Sequence, residues 1–211
     1  MKPRAGAGAD GPTKRYDRAY FDRWYRRAGI GRPSEVARAA RYVLATAEHL
    51  LERPVRSVLD VGCGEAPWRA PLLAQRPSLR YVGVDPSEYV VRRFGKRRGI
   101  RLGTFGSLDE AGLDGTYELV VCCGVVNYLP RAELTRGLEV IAALLGGVAF
   151  IEVWTTADDV VGDRRGWQEH SPAYYRRIFQ QAGLIACGMH CYVGPALADE
   201  PAALERGAGG G

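Results

Sequence analysis

Residues 57–68 read SVLDVGCGEAPW, and the change of character after Val61 decides the fold. The first five residues are mostly apolar, as in a strand buried on both faces, and beyond them come glycine, a carboxylate and proline, the residues of a turn. Gly62 and Gly64 carry no Cβ, so the backbone there can come close to a ligand. A dinucleotide site of the G-x-G-x-x-G kind would place a third glycine at position 67. Pro67 stands there instead, suited to the first turn of a following helix, and speaks against NAD.

Working outward, strand-like and helical segments alternate. The strands are expected at 57–61 (SVLDV), 80–85 (RYVGVD), 100–105 (IRLGTF), 117–123 (YELVVCC) and 147–153 (GVAFIEV), and the helices near 69–75, 88–96, 131–145 and 172–182. Such βαβα order with nearly continuous apolar strands implies an α/β fold, doubly wound, with a mostly parallel sheet and helices on both faces. One further strand is expected in 184–193 (LIACGMHCYV), and the sheet is expected to hold six or seven strands. Upstream, YDRAYFDRWYRRA (16–28) repeats aromatics at helical spacing, with Tyr16, Tyr20 and Trp24 on one face. A second helix is expected from a cap at Ser34 to the break at Pro54. The division is then a flexible arm over 1–13, N-terminal helices over 14–54, a core over 55–195 and a flexible tail over 196–211.

The chain has 211 residues, enough for one α/β domain, and a formal net charge of +5. It contains no apolar run long enough for a membrane span and no signal-peptide pattern, so a cytoplasmic protein is expected. Five cysteines in apolar segments suit reduced thiols, and adjacent Cys122 and Cys123 would point to opposite faces of a strand, which argues against a shared zinc. The arginines are interspersed with acids and follow no nucleic-acid motif, as on a solvated face.

In an open α/β sheet ligands bind beyond the carboxyl ends of the strands, near the switch in strand order. Asp85 ends the second strand about twenty residues past the glycine loop, where an acid accepts from both ribose hydroxyls. A ribose ligand without a pyrophosphate is what remains. At this point the sequence resembles the class I S-adenosylmethionine-dependent methyltransferases, a Rossmann-like family. VLDVGCGEAPW matches its first motif, YVGVDPS the second, YELVVCCGVVNYLP the fourth, and LLGGVAFIEVW the strand after it, from about Arg56 to Gly183.

The resemblance implies a cofactor site: Asp60 and the Gly62, Cys63 and Gly64 backbone at the methionine end of S-adenosylmethionine, Asp85 and Pro86 at the ribose, and Cys123 and Gly124 near the sulfonium. An acid that commonly reads the adenine amino group is missing after the third strand, where Thr104 and Phe105 are offered. Ala66 replaces a third family glycine, a small loss if the position is helical. The aromatic N-terminal helix is expected to close as a lid, with Tyr20 or Trp24 facing the sulfonium and Arg23 or Arg27 on the cofactor carboxylate.

Methyl transfer is an in-line displacement that needs alignment first and, for a hydroxyl acceptor, a base. Of three histidines, His170 after the fifth strand ranks above His49 and His190. Asn127 and Tyr128 are the other catalytic candidates by position, with Glu152 and Trp154 walling the acceptor. N-P-P-[YFW] is absent, and the ends of the fourth and fifth strands read CCG and VWT, without the carboxylates of metal-dependent catechol-type transfer. The expectation is metal-independent O-methylation of a small molecule in biosynthesis, by a monomer or homodimer. The alternatives are an RNA methyltransferase and a non-catalytic cofactor-binding partner subunit.

Overall fold

The computed structural model describes residues 14–160 and 162–201; the arm expected over 1–13 and the end of the expected tail lie outside them. The strands are β1 (Ser57–Val61), β2 (Arg80–Asp85), β3 (Ile100–Leu102), β4 (Tyr117–Cys122), β5 (Leu145–Ile151), β6 (Ile185–Gly188) and β7 (Cys191–Val193). Among the described residues they form one sheet in the order β3-β2-β1-β4-β5-β7-β6. The first five run parallel, and β7 lies antiparallel to both β5 and β6.

Because β1 pairs with β2 on one side and β4 on the other, the chain leaves β1 in opposite directions and opens a crevice at the carboxyl ends of these strands. The helices that cover the sheet are α2 (Pro33–Leu51), α3 (Arg69–Gln75), α4 (Glu88–Arg98), α5 (Arg131–Leu144) and α6 (Pro172–Gln181). Strand residues sort by parity. Val58, Leu119, Val121 and Val148 pack with α2 and α3, whereas Leu59, Val120, Cys122 and Ala149 pack with α5 and α6. This two-sided burial is why the strands read as unbroken apolar runs.

Four sequence expectations need revision. The segment 184–193 is a hairpin, β6 and β7, because Met189 and His190 both take positive φ (47° and 65°) and turn the chain in two residues. The second helix starts one residue before Ser34: Pro33 occupies its first turn, and the Arg32 amide donates to the Glu35 carboxylate at 3.2 Å. Pro67 lies in the turn before α3, not within its first turn, since α3 begins at Arg69. The aromatic helix is α1 (Arg18–Phe21) continuing as a π-helical stretch over Asp22–Arg27. Within it Tyr25 lies against Phe21, ring centroids 5.5 Å apart. At the other end, Leu197, inside the expected tail, packs on the α2 side of the sheet. No helix among the described residues is long and apolar enough to cross a membrane.

Candidate active site

The glycine loop is held tightly by its own protein. The Gly62 and Cys63 amides donate to the Val84 carbonyl at 2.8 and 3.1 Å, and the Gly64 amide donates to Asp85 at 2.7 Å. The Asp85 carboxylate also accepts from the Ser87 amide at 2.9 Å, so β2 is tied to the loop through one side chain. Gly62 and Gly64 both have positive φ, and a Cβ on Gly62 would stand 2.2 Å from Val125. Ala66 shares this left-handed geometry at φ 58°, so the position is not helical as its sequence suggests, and its methyl group carries backbone strain.

Beneath the loop, Asp60 is buried and accepts from the Tyr81 hydroxyl at 2.5 Å, and burial pushes its carboxyl up to about 7. Burial raises Asp85 as well. Cys63 turns its sulfur under the sheet against Gly83, leaving only its backbone on the ligand side. At the end of β4, a Cβ on Gly124 would meet nothing within 4 Å, so the chain borders open space there. A cradle of this kind, bare at Gly124 and acidic at Asp60 and Asp85, fits a cationic ligand bearing a ribose.

Past β2 and β3 a cavity of about 350 Å³ is lined by Pro86, Leu102, Thr104 and Ser107. Phe105, expected at the adenine, is not part of it: its ring is buried under α5, where a Cβ on Gly137 would strike it at 2.1 Å. The exposed apolar residue there is Leu102.

On the other side of the crevice Glu152 follows β5, its amide donating to the Cys122 carbonyl at 2.9 Å. Burial raises its carboxyl pKa, a hydrogen bond from Trp154 opposes this, and its charge is felt at Cys123 and at the Tyr25 hydroxyl. Asn127 is fully committed. Its amide nitrogen donates to the Trp154 carbonyl at 2.6 Å and to the Tyr175 hydroxyl at 3.0 Å, and its oxygen accepts from the Trp154 amide at 3.1 Å. Both donors are occupied, so Asn127 is a clamp joining the ends of β4 and β5.

His170 lies with its ring stacked on Tyr174, centroids 3.7 Å apart, and burial lowers its pKa. His49 is exposed on α2. His190, in the β6–β7 turn, reaches the carboxyl end of β5, its ring 5.7 Å from that of Trp154. No group of three His, Cys, Asp or Glu side chains among the described residues is placed to hold a metal.

The N-terminal segment covers the crevice. Phe21 is buried, and a Cβ on Gly64 would stand 3.1 Å from its ring. The Ser87 hydroxyl donates to the Tyr16 carbonyl at 2.5 Å, and Arg26 pairs with both oxygens of Glu65 at 2.8 and 2.9 Å. Two guanidinium groups therefore reach the loop, Arg26 at the Glu65 carboxylate and Arg98 at the Glu65 carbonyl. Arg23, expected at the cofactor carboxylate, instead lines an outer cavity of about 780 Å³ with Lys14, Tyr20, Trp24 and Asp163, and Arg27 is exposed. Tyr128 borders this region, its hydroxyl donating to the Asp163 carbonyl. Tyr25 is a site residue that the sequence did not single out: 42% of its surface is exposed, yet its hydroxyl is desolvated, feels Asp85 and Glu152, and is pushed up to about 12. Its spacing of four from Phe21 was the available signal.

Residues 24–192 match a family model described as a methyltransferase domain. The chain belongs to that methyltransferase family. Solved structures agree on the fold. Streptomyces venezuelae DesVI has 19% identity over 82% of this chain and 96% of its own, with a TM-score of 0.62. CalS10 of Micromonospora echinaspora, an amino pentose methyltransferase solved with S-adenosylmethionine (SAM), has 21% identity over 81% of this chain and 90% of its own, with a TM-score of 0.60. The magnesium protoporphyrin IX methyltransferase ChlM of Synechocystis PCC 6803, solved with bound S-adenosylhomocysteine (SAH), has 20% identity over 81% of this chain and 87% of its own, with a TM-score of 0.56. A search of curated proteins finds no match. By family the chain is a methyltransferase, and its fold is the one these solved structures share.

Proposed function

We propose that this methyltransferase transfers the methyl group of SAM to an oxygen of a small biosynthetic metabolite, without a metal, and that Glu152 is the base. The carrying observation is a partly buried carboxylate of raised pKa beside Cys123 and the open space at Gly124. A base needs a pKa near the working pH, and burial moves Glu152 toward it, whereas His170 is moved away and has one ring face covered by Tyr174. The structural neighbours described as an amino pentose methyltransferase and as a magnesium protoporphyrin IX methyltransferase support the small-molecule reading.

On this reading Asp60, the carbonyl side of the Gly62–Gly64 loop and Arg26 surround the methionine end, Asp85 takes the ribose, and the cavity at Pro86 and Leu102 takes the adenine. The bound sulfonium supplies a methyl carbon open to in-line displacement. Glu152 accepts the hydroxyl proton as the acceptor oxygen bonds to that carbon, and the electrons of the broken carbon–sulfur bond remain on sulfur. Asn127 contributes by fixing the backbone of Trp154, two residues beyond the base.

The test is a panel of hydroxylated and aminated metabolites incubated with SAM, with SAH formation and product mass as readouts. Glu152→Gln is expected to lower kcat about 100-fold with SAH affinity unchanged, and His170→Ala to change kcat less than about threefold. Full activity in Glu152→Gln would remove the assignment.

A further inference from the structure

Lys14 is held in a way that a surface lysine is not. Its ammonium lies 3.7 Å from the ring centroid of Tyr128, 5.3 Å from that of Tyr20 and 5.4 Å from that of Tyr16. It pairs with the Asp163 carboxylate at 2.7 Å and donates to the Arg165 carbonyl at 3.4 Å. Three electron-rich faces, a carboxylate and a carbonyl around one cation are the elements of an ammonium-binding cage. The side chains of Lys14 and Asp163 keep only 15% and 12% of their exposure, so the cage is largely dry; burial lowers the Lys14 pKa, and the hydrogen bond and charge of Asp163 oppose this.

The position of the cage suggests a ligand more than a structural tie. Lys14, Tyr20 and Asp163 also line the outer cavity of about 780 Å³, so the cage forms part of the wall of a space large enough for a small molecule. Tyr16 lies toward the Asp85 side, since its hydroxyl feels the charges of both Asp163 and Asp85. Elsewhere the cavity is lined by Arg15, Arg23 and the carboxylate of Asp17.

We propose that the enclosure formed by Tyr16, Tyr20, Tyr128 and Asp163 is the subsite for an alkylammonium group of the methyl acceptor, and that Lys14 occupies it as a stand-in. This deepens the function proposed above and rests on it: the acceptor is a hydroxylated amine. A nitrogen seated against the Asp163 carboxylate is held in the cage, which leaves the hydroxyl as the nucleophile.

Choline and its neutral isostere 3,3-dimethyl-1-butanol separate charge from shape. Calorimetry on the full chain with saturating SAH should show Lys14→Ala binding choline at least tenfold more tightly than the wild type, with no matching gain for the neutral isostere. Lys14→Ala/Tyr128→Leu should lose that gain. Equal choline affinity in wild type and Lys14→Ala, or an equal gain for the isostere, would overturn the proposal; Lys14→Ser gives the same comparison if the alanine variant does not fold. SAH binding in the same titrations keeps the two readings apart: SAH bound without a choline gain sinks the cage alone, and no SAH binding sinks the function it rests on.

Discussion

Ala66 shows how much one methyl group decides. Holding a residue with a Cβ in the left-handed region costs about 1–2 kcal/mol, partly offset because glycine loses more freedom on folding. Ala66→Gly should therefore stabilise the protein by roughly 0.5–1 kcal/mol, read as a higher urea midpoint with an unchanged slope. Asp60 predicts a pH dependence. Its carboxyl titrates near 7 when folded against 3.8 in the open chain, so the folded state binds the extra proton between these values. Stability must then fall as pH rises from about 4 to about 7 and level off above, by at most on the order of 4 kcal/mol. In the ligand-free protein the melting temperature should drop between about pH 4 and about pH 7, and Asp60→Asn should flatten that drop. Residue types and spacing made Asp60 and Asp85 legible in the sequence. They did not reveal that Ala66 needs positive φ or that both Asn127 donors are taken, because each depends on partners distant in the chain.

At the scale of elements, strands buried on both faces announce themselves, and β1 and β2 have the bounds expected from the sequence. The β6–β7 hairpin gave no such signal. Its turn uses Met189 and His190 where asparagine and glycine would ordinarily mark one, and sheet pairing overrides the local preference. The π-helical stretch gave no signal either, because the spacing of the aromatics fits an ordinary helix. The β4–β5 junction depends on the Asn127 amide. Asn127→Ala strands the amide and carbonyl of Trp154 and should cost about 3 kcal/mol in chemical denaturation. Because Trp154 and Glu152 share that junction, kcat should fall in the same variant more than SAH affinity does.

Across the whole molecule, the doubly wound sheet gathers its chemistry at one edge, and the peptide from Lys14 to Arg27 lies across that edge. It touches the glycine loop through Phe21 and Arg26 and the far wall through Lys14. A single strap over two compartments imposes an itinerary on turnover: the donor must be seated before the strap settles, the acceptor enters from the outer side, and the spent thioether leaves last. Initial-rate patterns should accordingly intersect, with SAH competitive against SAM and noncompetitive against the acceptor. Loosening the strap with Arg26→Ala should quicken SAH departure while leaving the order of entry in place.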